Sequence, residues 1–176
     1  TFKRAVGNEG VTVEPAETIQ VLENVPYGEM PVCTSANIPT KTSTAAEYYT
    51  VIWTPTLATV TGNATYTATG FAAHKNTCRL TVSAGANGKV ALDSSEEVLS
   101  TVYEYGNTAT ITATATTAGY RFVRWSDGNT DNPRTVTVNA AITLKAEFAI
   151  SQYMITWLDY DNSSLGTTTV NHGGTP

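Results

Sequence analysis

The sequence predicts an all-β chain built from tandem small modules. Threonine, which is β-branched and tolerates a half-exposed pleated surface, supplies about a fifth of the 176 residues. Across residues 78–148, apolar and polar residues alternate with period two, and no segment there shows the i, i+3, i+4, i+7 spacing of a helix. An alternating strand that ends in tryptophan before a turn occurs twice, at 48–55 (YYTVIWTP) and 119–128 (GYRFVRWSDG). This recurrence, about seventy residues apart, indicates an internal repeat.

Composition excludes several classes of partner. The net charge is −5 with a pI near 4.9, and the ten Lys and Arg residues are scattered, which argues against nucleic-acid binding. No run of about twenty apolar residues exists, so no membrane insertion is expected in this segment. Cys33 and Cys78 lie too far apart for a metal pair and lack companion ligands. Two free thiols and one disulfide both remain open.

The first module is predicted over residues 1–71. Residues 1–17 are poorly assigned, apart from one short strand just before Pro15, which ends it or confines it to a sheet edge. The strand that ends in Trp lies at 48–53. A closing strand follows within 61–71, after a Gly-Asn turn.

The second module is predicted over residues 77–149, after a short linker at 72–76. Every segment in it alternates with period two, as strands that bury one face do. Its elements are a hairpin turn at 86–88, a strand region at 102–115, the tryptophan strand at 119–125, a polar turn at 126–133 and closing strands within 136–148.

Residues 150–176 are predicted to be a partial third repeat, with a strand, a turn at 161–163 and a return strand. The 23 residues from Met154 onward cannot build a hydrophobic core alone. We therefore expect this segment to pair with the second module, to pack against another copy of the chain, or to be mobile. Its end, VNHGGTP, shares a pattern with VPYGEMP at 25–31 and VYEYGNT at 102–108. Each has a valine, then an aromatic residue or His next to Gly, then a small polar or Pro residue.

At these residues the chain resembles a known repeat family. The second module, with its Gly88 hairpin, YEYGNTATITA, GYRFVRWSDGNTDNPRTVTV and ITLKAEF, resembles the divergent internalin B-type repeat of bacterial surface proteins. The first module (IQVLENVPYGEMP, YYTVIWTP, VTGNATYTATG) and the third segment (MITWLDYDNSSLGTTTVNHGGTP) resemble the related Listeria–Bacteroides repeat. Such repeats usually carry Gly before the core Trp, where this chain has Ile52 and Arg124.

The resemblance implies a small β-grasp-like sheet in each repeat, an elongated tandem array, and exposure on a bacterial surface or in a secreted protein. It implies a stalk, spacer or adhesion role, with neighbouring repeats of the same chain as partners. Catalysis is not part of that picture. The alternative function is a module that binds a glycan or a host surface protein through exposed Tyr and Trp side chains.

The tryptophans have two readings. An exposed indole stacks well on a sugar, but Trp53 and Trp125 end alternating strands at matching places, which favours burial in a core. The predicted structural core is Trp53, Trp125, Tyr120, Phe122, Leu144 and Phe148. The candidate surface contacts are Trp157, Tyr103, Tyr105, Tyr160, Arg121 and Arg124.

Two acidic turns, SDGNTDNP at 126–133 and LDYDNSS at 158–164, offer oxygen atoms to Ca²⁺. Neither supplies a bidentate Glu at the required offset, and Asp, Asn and Gly are also the residues that turns need. Glu96 and Glu97 would point apart on a strand, and no nucleophile, phosphate-loop or zinc-protease motif occurs. The sequence therefore predicts no metal, no cofactor and no enzyme.

Overall fold

The computed structural model describes all residues from 1 to 176 and contains thirteen β-strands and no α-helix. The helical segments are two 3-10 turns, Asn8–Gly10 and Ser35–Asn37. The all-β prediction is confirmed. The chain divides into two compact units, Thr1–Asn76 and Thr77–Pro176. No helix of the length and apolar character needed to cross a membrane is present.

One mixed sheet forms the first unit. Its strands are β1 (Phe2–Val6), β2 (Thr12–Gln20), β3 (Glu47–Thr54) and β4 (Tyr66–Lys75). They lie in the order β2-β1-β4-β3, with β1 and β4 parallel and the other pairs antiparallel. Pro15 falls on the edge strand β2, where a missing backbone donor costs least. The core holds Phe2, Cys33 and Tyr66, with Trp53 and Leu57 partly buried against it.

The second unit contains three sheets. Its strands are β5 (Thr77–Ala84), β6 (Gly88–Leu92), β7 (Ser100–Glu104), β8 (Thr108–Ala115), β9 (Tyr120–Trp125), β10 (Arg134–Thr137), β11 (Ile142–Ile150), β12 (Gln152–Leu158) and β13 (Ser164–Asn171). A mixed sheet has the order β7-β5-β11-β9, an antiparallel sheet has the order β10-β8-β6, and β12 pairs with β13.

A single hydrophobic core joins the first two of these sheets. It contains Leu80 and Leu144 from the mixed sheet together with Val90 and Ile111 from the antiparallel one. The strand β8 shows why this sequence forms a sheet. In TATITATA, Ala109, Ile111 and Ala113 are buried while the intervening threonines are exposed or partly exposed, which is the period-two pattern of a strand with one face on a core.

Both units build their mixed sheet in the same way. The first strand lies parallel to the last, the second strand pairs antiparallel with the first, and the third pairs antiparallel with the last. This matches β1, β2, β3 and β4 with β5, β7, β9 and β11. The match brings Trp53 opposite Ala68 and Trp125 opposite Ala146. The repetition predicted from the two tryptophan strands is thus present in the strand order.

A glycine in the left-handed region follows the second strand of each mixed sheet. Gly28 donates its N–H to the Val60 carbonyl at 2.8 Å, and Gly106 donates to the Val138 carbonyl at 3.1 Å. Both glycines have φ of 86°, a conformation that residues with a Cβ rarely adopt. The aromatic residue followed by Gly, which occurs in both sequences, therefore marks an equivalent turn in the two units.

Two stretches differ from the sequence-based expectation. Residues 1–17 contain the central strand β1, whose Phe2 is almost fully buried, and most of β2, which continues through Pro15. The predicted linker at 72–76 is mainly strand, because β4 extends to Lys75. β4 pairs with β3 and β1, which both lie far earlier in the chain, so local sequence carries little trace of these pairings. β1 and β2 are neighbours in sequence, but their ladder shifts register at two places, which disrupts the regular alternation.

The segment after β11 forms the β12–β13 hairpin of the second unit. Ser151 donates its N–H to the Gly119 carbonyl at 2.6 Å, and His172 donates to the Ser151 carbonyl at 2.8 Å. Gly119 leaves room for the His172 ring, since a Cβ at this glycine would lie 2.1 Å from the ring. Of the three arrangements expected for this segment, the structure shows backbone pairing with the second module.

Both cysteines are free thiols. Cys33 is buried in the first unit, and burial raises the pKa of its thiol. Cys78 is partly buried in β5 and packs against the core of the second unit.

Candidate functional site

The β12–β13 hairpin carries the most exposed aromatic residues of the second unit. Because side chains alternate along a strand, Tyr153, Ile155 and Trp157 lie on one face of β12, and Val170 lies opposite Tyr153 on β13. We call these four residues the hairpin face. Tyr153 is 50% exposed and Trp157 is 45% exposed. An apolar surface of this kind is unusual for an isolated two-stranded ribbon in water.

The Trp157 indole has a defined orientation. Its Nε1–H donates to Thr168 Oγ1 at 3.1 Å. Trp157 lies opposite Gly166, whose lack of a side chain leaves the indole free to reach the diagonal neighbour Thr168. The hydrogen bond satisfies the polar edge of the ring, while about half of the side chain stays accessible to a ligand.

The turn of this hairpin presents Tyr160, which is 94% exposed. Asp161 accepts a hydrogen bond from the Ser163 N–H at 2.8 Å, and bonding from Ser163 lowers the pKa of Asp161. Asp159 accepts from the Tyr160 N–H at 2.7 Å. Both carboxylates thus serve the backbone of the turn, as Asp residues in turns commonly do.

Tyr103 and Tyr105 lie elsewhere, on and just after β7. Tyr103 is partly buried against the core, and its hydroxyl donates to Asp93 Oδ2 at 2.5 Å. Burial and this hydrogen bond raise the pKa of Tyr103 to about 12. Tyr105 is also partly buried. Of the four aromatic surface candidates, only Trp157 and Tyr160 are exposed, and both lie on the β12–β13 hairpin.

Arg121 and Arg124 are both exposed on β9. Strict alternation would place residues three apart on opposite faces, but the ladder to β11 shifts register between Arg124 and Phe122, which adds one residue between them. The Arg124 Nε–H donates to Glu147 Oε2 across the ladder to β11 at 2.8 Å, and both side chains are about half exposed. An exposed pair of this kind contributes little to stability. Arg121 lies opposite Ala149, is exposed and forms no ion pair.

The residues predicted to be core are placed unequally. Trp125 is fully buried and Leu144 is 3% exposed, whereas Phe122 and Phe148 are partly buried around the same core. Tyr120, at the start of β9, is partly exposed. In the first unit, Trp53 is partly buried and packs edge-to-face on Phe2, with ring centroids 5.2 Å apart.

The acidic turn after Trp125 supports the indole. Trp125 Nε1–H donates to the Asp131 carbonyl at 2.9 Å. Arg134 pairs with Asp127 at 2.7 Å, and its hydrogen bond lowers the pKa of Asp127. Asn129 N–H also donates to Asp127, at 3.2 Å. No group of three or more His, Cys, Asp or Glu side chains in the chain is arranged to hold a metal ion.

The first unit has a cleft of about 680 Å³. Phe2, Leu22, Tyr27 and Tyr66 are among its lining residues, and the Tyr66 hydroxyl donates to the Ala58 carbonyl at 3.2 Å. No Asp, Glu, His, Cys, Lys or Arg side chain lines it. The cleft therefore has aromatic surface to offer a ligand, and tyrosine is the one common general acid or base among its lining side chains.

The second unit has its own core around the buried Trp125 and repeats the strand order of the first unit. Residues 78–152 match the family model of the divergent InlB B-repeat domain. These residues belong to that repeat family. The resemblance predicted for the second module is confirmed. No curated protein and no solved structure was found to match the chain.

The InlB B-repeat runs from β5 to the start of β12, so it includes both sheets around the shared core. The hairpin face and the whole first unit lie outside the matched residues. The likeness of those parts to the Listeria–Bacteroides repeat stays a prediction.

Some contacts within the second unit were not foreseen from the sequence. The Tyr103–Asp93 bond joins residues from different loops and strands, and neither has a motif around it. Gly88 was read only as a turn residue, yet a Cβ there would lie 2.1 Å from the Phe148 ring. A glycine that opens a strand is the signal that another group approaches closely.

Proposed function

We propose that this chain is a non-catalytic, extracellular segment of a bacterial surface or secreted protein, in which repeated β-modules act as a stalk or adhesion spacer. The recurrence of one strand order in both units, combined with the InlB B-repeat match at 78–152, carries the proposal. Each unit has a hydrophobic core of its own, as the modules of a repeat array do.

The parallel central pair in each mixed sheet is also the arrangement expected of a β-grasp-like module, although no helix packs on either sheet. In this proposal, the modules follow one another in an elongated array and contact mainly their neighbours. A compact globule of this length would have a radius of gyration of about 16 Å. Small-angle scattering of the full chain is expected to give a clearly larger value and a scattering profile with an extended tail. A value near 16 Å would contradict the spacer role.

The extracellular location has its own test. Antibodies raised against the chain should label intact cells of the bacterium that produces it, or detect the protein in the culture medium. Labelling only after cell lysis would contradict that location.

A non-catalytic role is supported by the contacts of three side chains whose pKa values are shifted, because each forms an ion pair or hydrogen bond within the fold. Asp127 pairs with Arg134, Tyr103 bonds to Asp93, and Glu47 pairs with Lys75. Each of these contacts joins structural elements, and none lies in the cleft of the first unit. Turnover by the purified chain on a broad panel of hydrolase substrates would overturn this part of the proposal.

A second function, binding of a glycan or host surface protein, is favoured by the hairpin face together with Tyr160. Aromatic side chains supply large contact areas at low conformational cost. Glycan-array and host-protein binding should fall strongly in Trp157→Ala. Met154→Ala is the matched control, since Met154 is 70% exposed on the opposite face of β12. Equal binding by both variants, or none by the native chain, would reject this function.

A further inference from the structure

The strand β12 directly follows the last strand of a mixed sheet, as β5 does. A single residue, Asn76, separates β4 from β5, and a single residue, Ser151, separates β11 from β12. Asn76 donates its N–H to the Ala46 carbonyl at 2.8 Å, and Ser151 donates to the Gly119 carbonyl at 2.6 Å. Each acceptor immediately precedes the third strand of its mixed sheet. β12 therefore begins a new repeat, as β5 does.

The pairing of β12 with β13 repeats that of β5 with β7. In both ladders, the first residue of the earlier strand lies opposite the last residue of the later one, and the register then runs without a shift over five pairs. Gly173, with φ of 76°, follows β13 as Gly106 follows β7. The equivalent pairs are Thr77–Glu104 with Gln152–Asn171, Cys78–Tyr103 with Tyr153–Val170, and Leu80–Thr101 with Ile155–Thr168.

β12 has one paired strand, whereas β1 and β5 each have two. In the complete mixed sheets, the first strand lies between its antiparallel partner and a parallel last strand: β1 pairs with β4, and β5 pairs with β11. β12 pairs with β13 alone. Its second edge therefore presents unpaired backbone N–H and C=O groups, which are ready to accept another strand.

The hairpin face is the counterpart of a core surface. Leu80 and Val82 of β5 are 0% and 2% exposed, and their equivalents by register and spacing are Ile155 and Trp157. Trp157 is 45% exposed. A surface that is covered in the complete module is thus open in the hairpin, and it adjoins the unpaired edge.

We propose that the free edge of β12 is a strand-acceptor site. Its ligand is an extended peptide that adds parallel to β12 and carries apolar residues at alternate positions on the side of the hairpin face. Backbone hydrogen bonds would supply affinity, and the alternate side chains would supply specificity. The site would operate whether the chain serves as a spacer or as a binding module.

The strand β11 of this chain is an example of such a peptide. In the β5–β11 ladder, Ile142, Leu144 and Ala146 lie beside Leu80, Val82 and Ala84. A peptide with the β11 sequence, ITLKAEFAI, would place its first isoleucine beside Ile155 and its leucine beside Trp157.

The test uses this synthetic nonapeptide and the full chain labelled with ¹⁵N. Saturable chemical-shift changes are expected in the β12 amides, and their hydrogen exchange should slow by roughly tenfold or more on saturation. Trp157→Ala should weaken binding roughly tenfold, because an aromatic anchor is lost. Met154→Ala, on the other face, should leave binding unchanged. A peptide with Lys in place of its first isoleucine and its leucine should not bind.

Several results would overturn the proposal. One is the absence of saturable shifts at millimolar peptide. Another is a set of shifts confined to β5 and β9, which would show that the peptide displaces β11. Binding that Trp157→Ala and the double-lysine peptide leave unaltered would exclude the hairpin face. Concentration-dependent protection of β12 without peptide binding would show that the edge pairs with a second copy of the chain instead.

Discussion

Trp125 lies directly opposite Ala146 in the ladder between β9 and β11, and both side chains are fully buried. The small alanine leaves the volume above β11 to the indole, whose Nε1–H is satisfied by the Asp131 carbonyl. Trp53 and Ala68 form the equivalent pair in the first unit.

Trp125→Ala should destabilise the second unit by about 3–5 kcal/mol, because it removes a fully buried aromatic side chain from the core. The measurement is denaturant unfolding followed through NMR signals of that unit. Tyr160→Ala is the control, since Tyr160 is 94% exposed, and its effect should stay within about 0.5 kcal/mol. Similar losses in both variants would show that Trp125 does not anchor the core.

The opposing alanines should be intolerant of larger side chains. Ala68→Leu and Ala146→Leu should each destabilise their own unit by about 1–3 kcal/mol, because both positions are 0% exposed beneath a tryptophan. Ala73→Leu, at an exposed position of β4, should have little effect. Thermal and denaturant unfolding would measure all three. A neutral Ala68→Leu would show that the two tryptophan–alanine pairs are not equivalent.

Gly88→Ala should destabilise the second unit although alanine usually suits a strand better than glycine. The new Cβ would lie 2.1 Å from the Phe148 ring, which has to move. Gly62→Ala is the control because no atom lies within 4 Å of its Cβ position. A double-mutant cycle with Phe148→Leu should show that the cost of Gly88→Ala falls once the ring is removed. If the two substitutions have additive effects on stability, contact with the Phe148 ring is not the cause of the loss.

Acid should weaken the second unit through Asp127. Its pKa is lowered in the folded chain by Arg134, so the contribution is present above the usual carboxyl range and is lost as pH falls below about 4. Because Asp127 is 41% exposed, solvent limits the effect to about 0.5–1 kcal/mol.

Stability measured against pH would test this contribution. Arg134→Gln should flatten the acid limb of the curve, whereas Arg121→Gln, at a residue without an ion pair, should not. If the acid limb is unchanged in Arg134→Gln, the Asp127–Arg134 pair does not cause the loss of stability in acid.

Local patterns were enough to predict the strands and the repeat, but the sheet partners depend on distant residues. The alternation of TATITATA predicted β8, and the two tryptophan strands predicted the recurrence. Phe2–Val6 went unassigned for two reasons. Its partner in β4 lies about sixty residues away, and parallel pairing leaves no turn signal to read. Its nearby antiparallel partner β2 is shifted in register at two places, so the regular alternation of a hairpin is lost.

The candidate site was predictable to a similar degree. Trp157 and Tyr160 share a short hairpin, so their common location follows from neighbouring residues. The burial of Tyr103 depends on Asp93 and on packing across the second unit, and the alternation of β7 alone does not show which face is covered.

The parallel pairing of first and last strands determines how each mixed sheet would carry mechanical load. The chain enters through β5 and leaves through β11, so tension applied along it slides these two strands past one another. The rungs of the ladder are then loaded together instead of opening one after another. Five residue pairs join β5 to β11, against three between β1 and β4. Under a rising force the first unit should therefore unfold before the InlB B-repeat, which would still be folded.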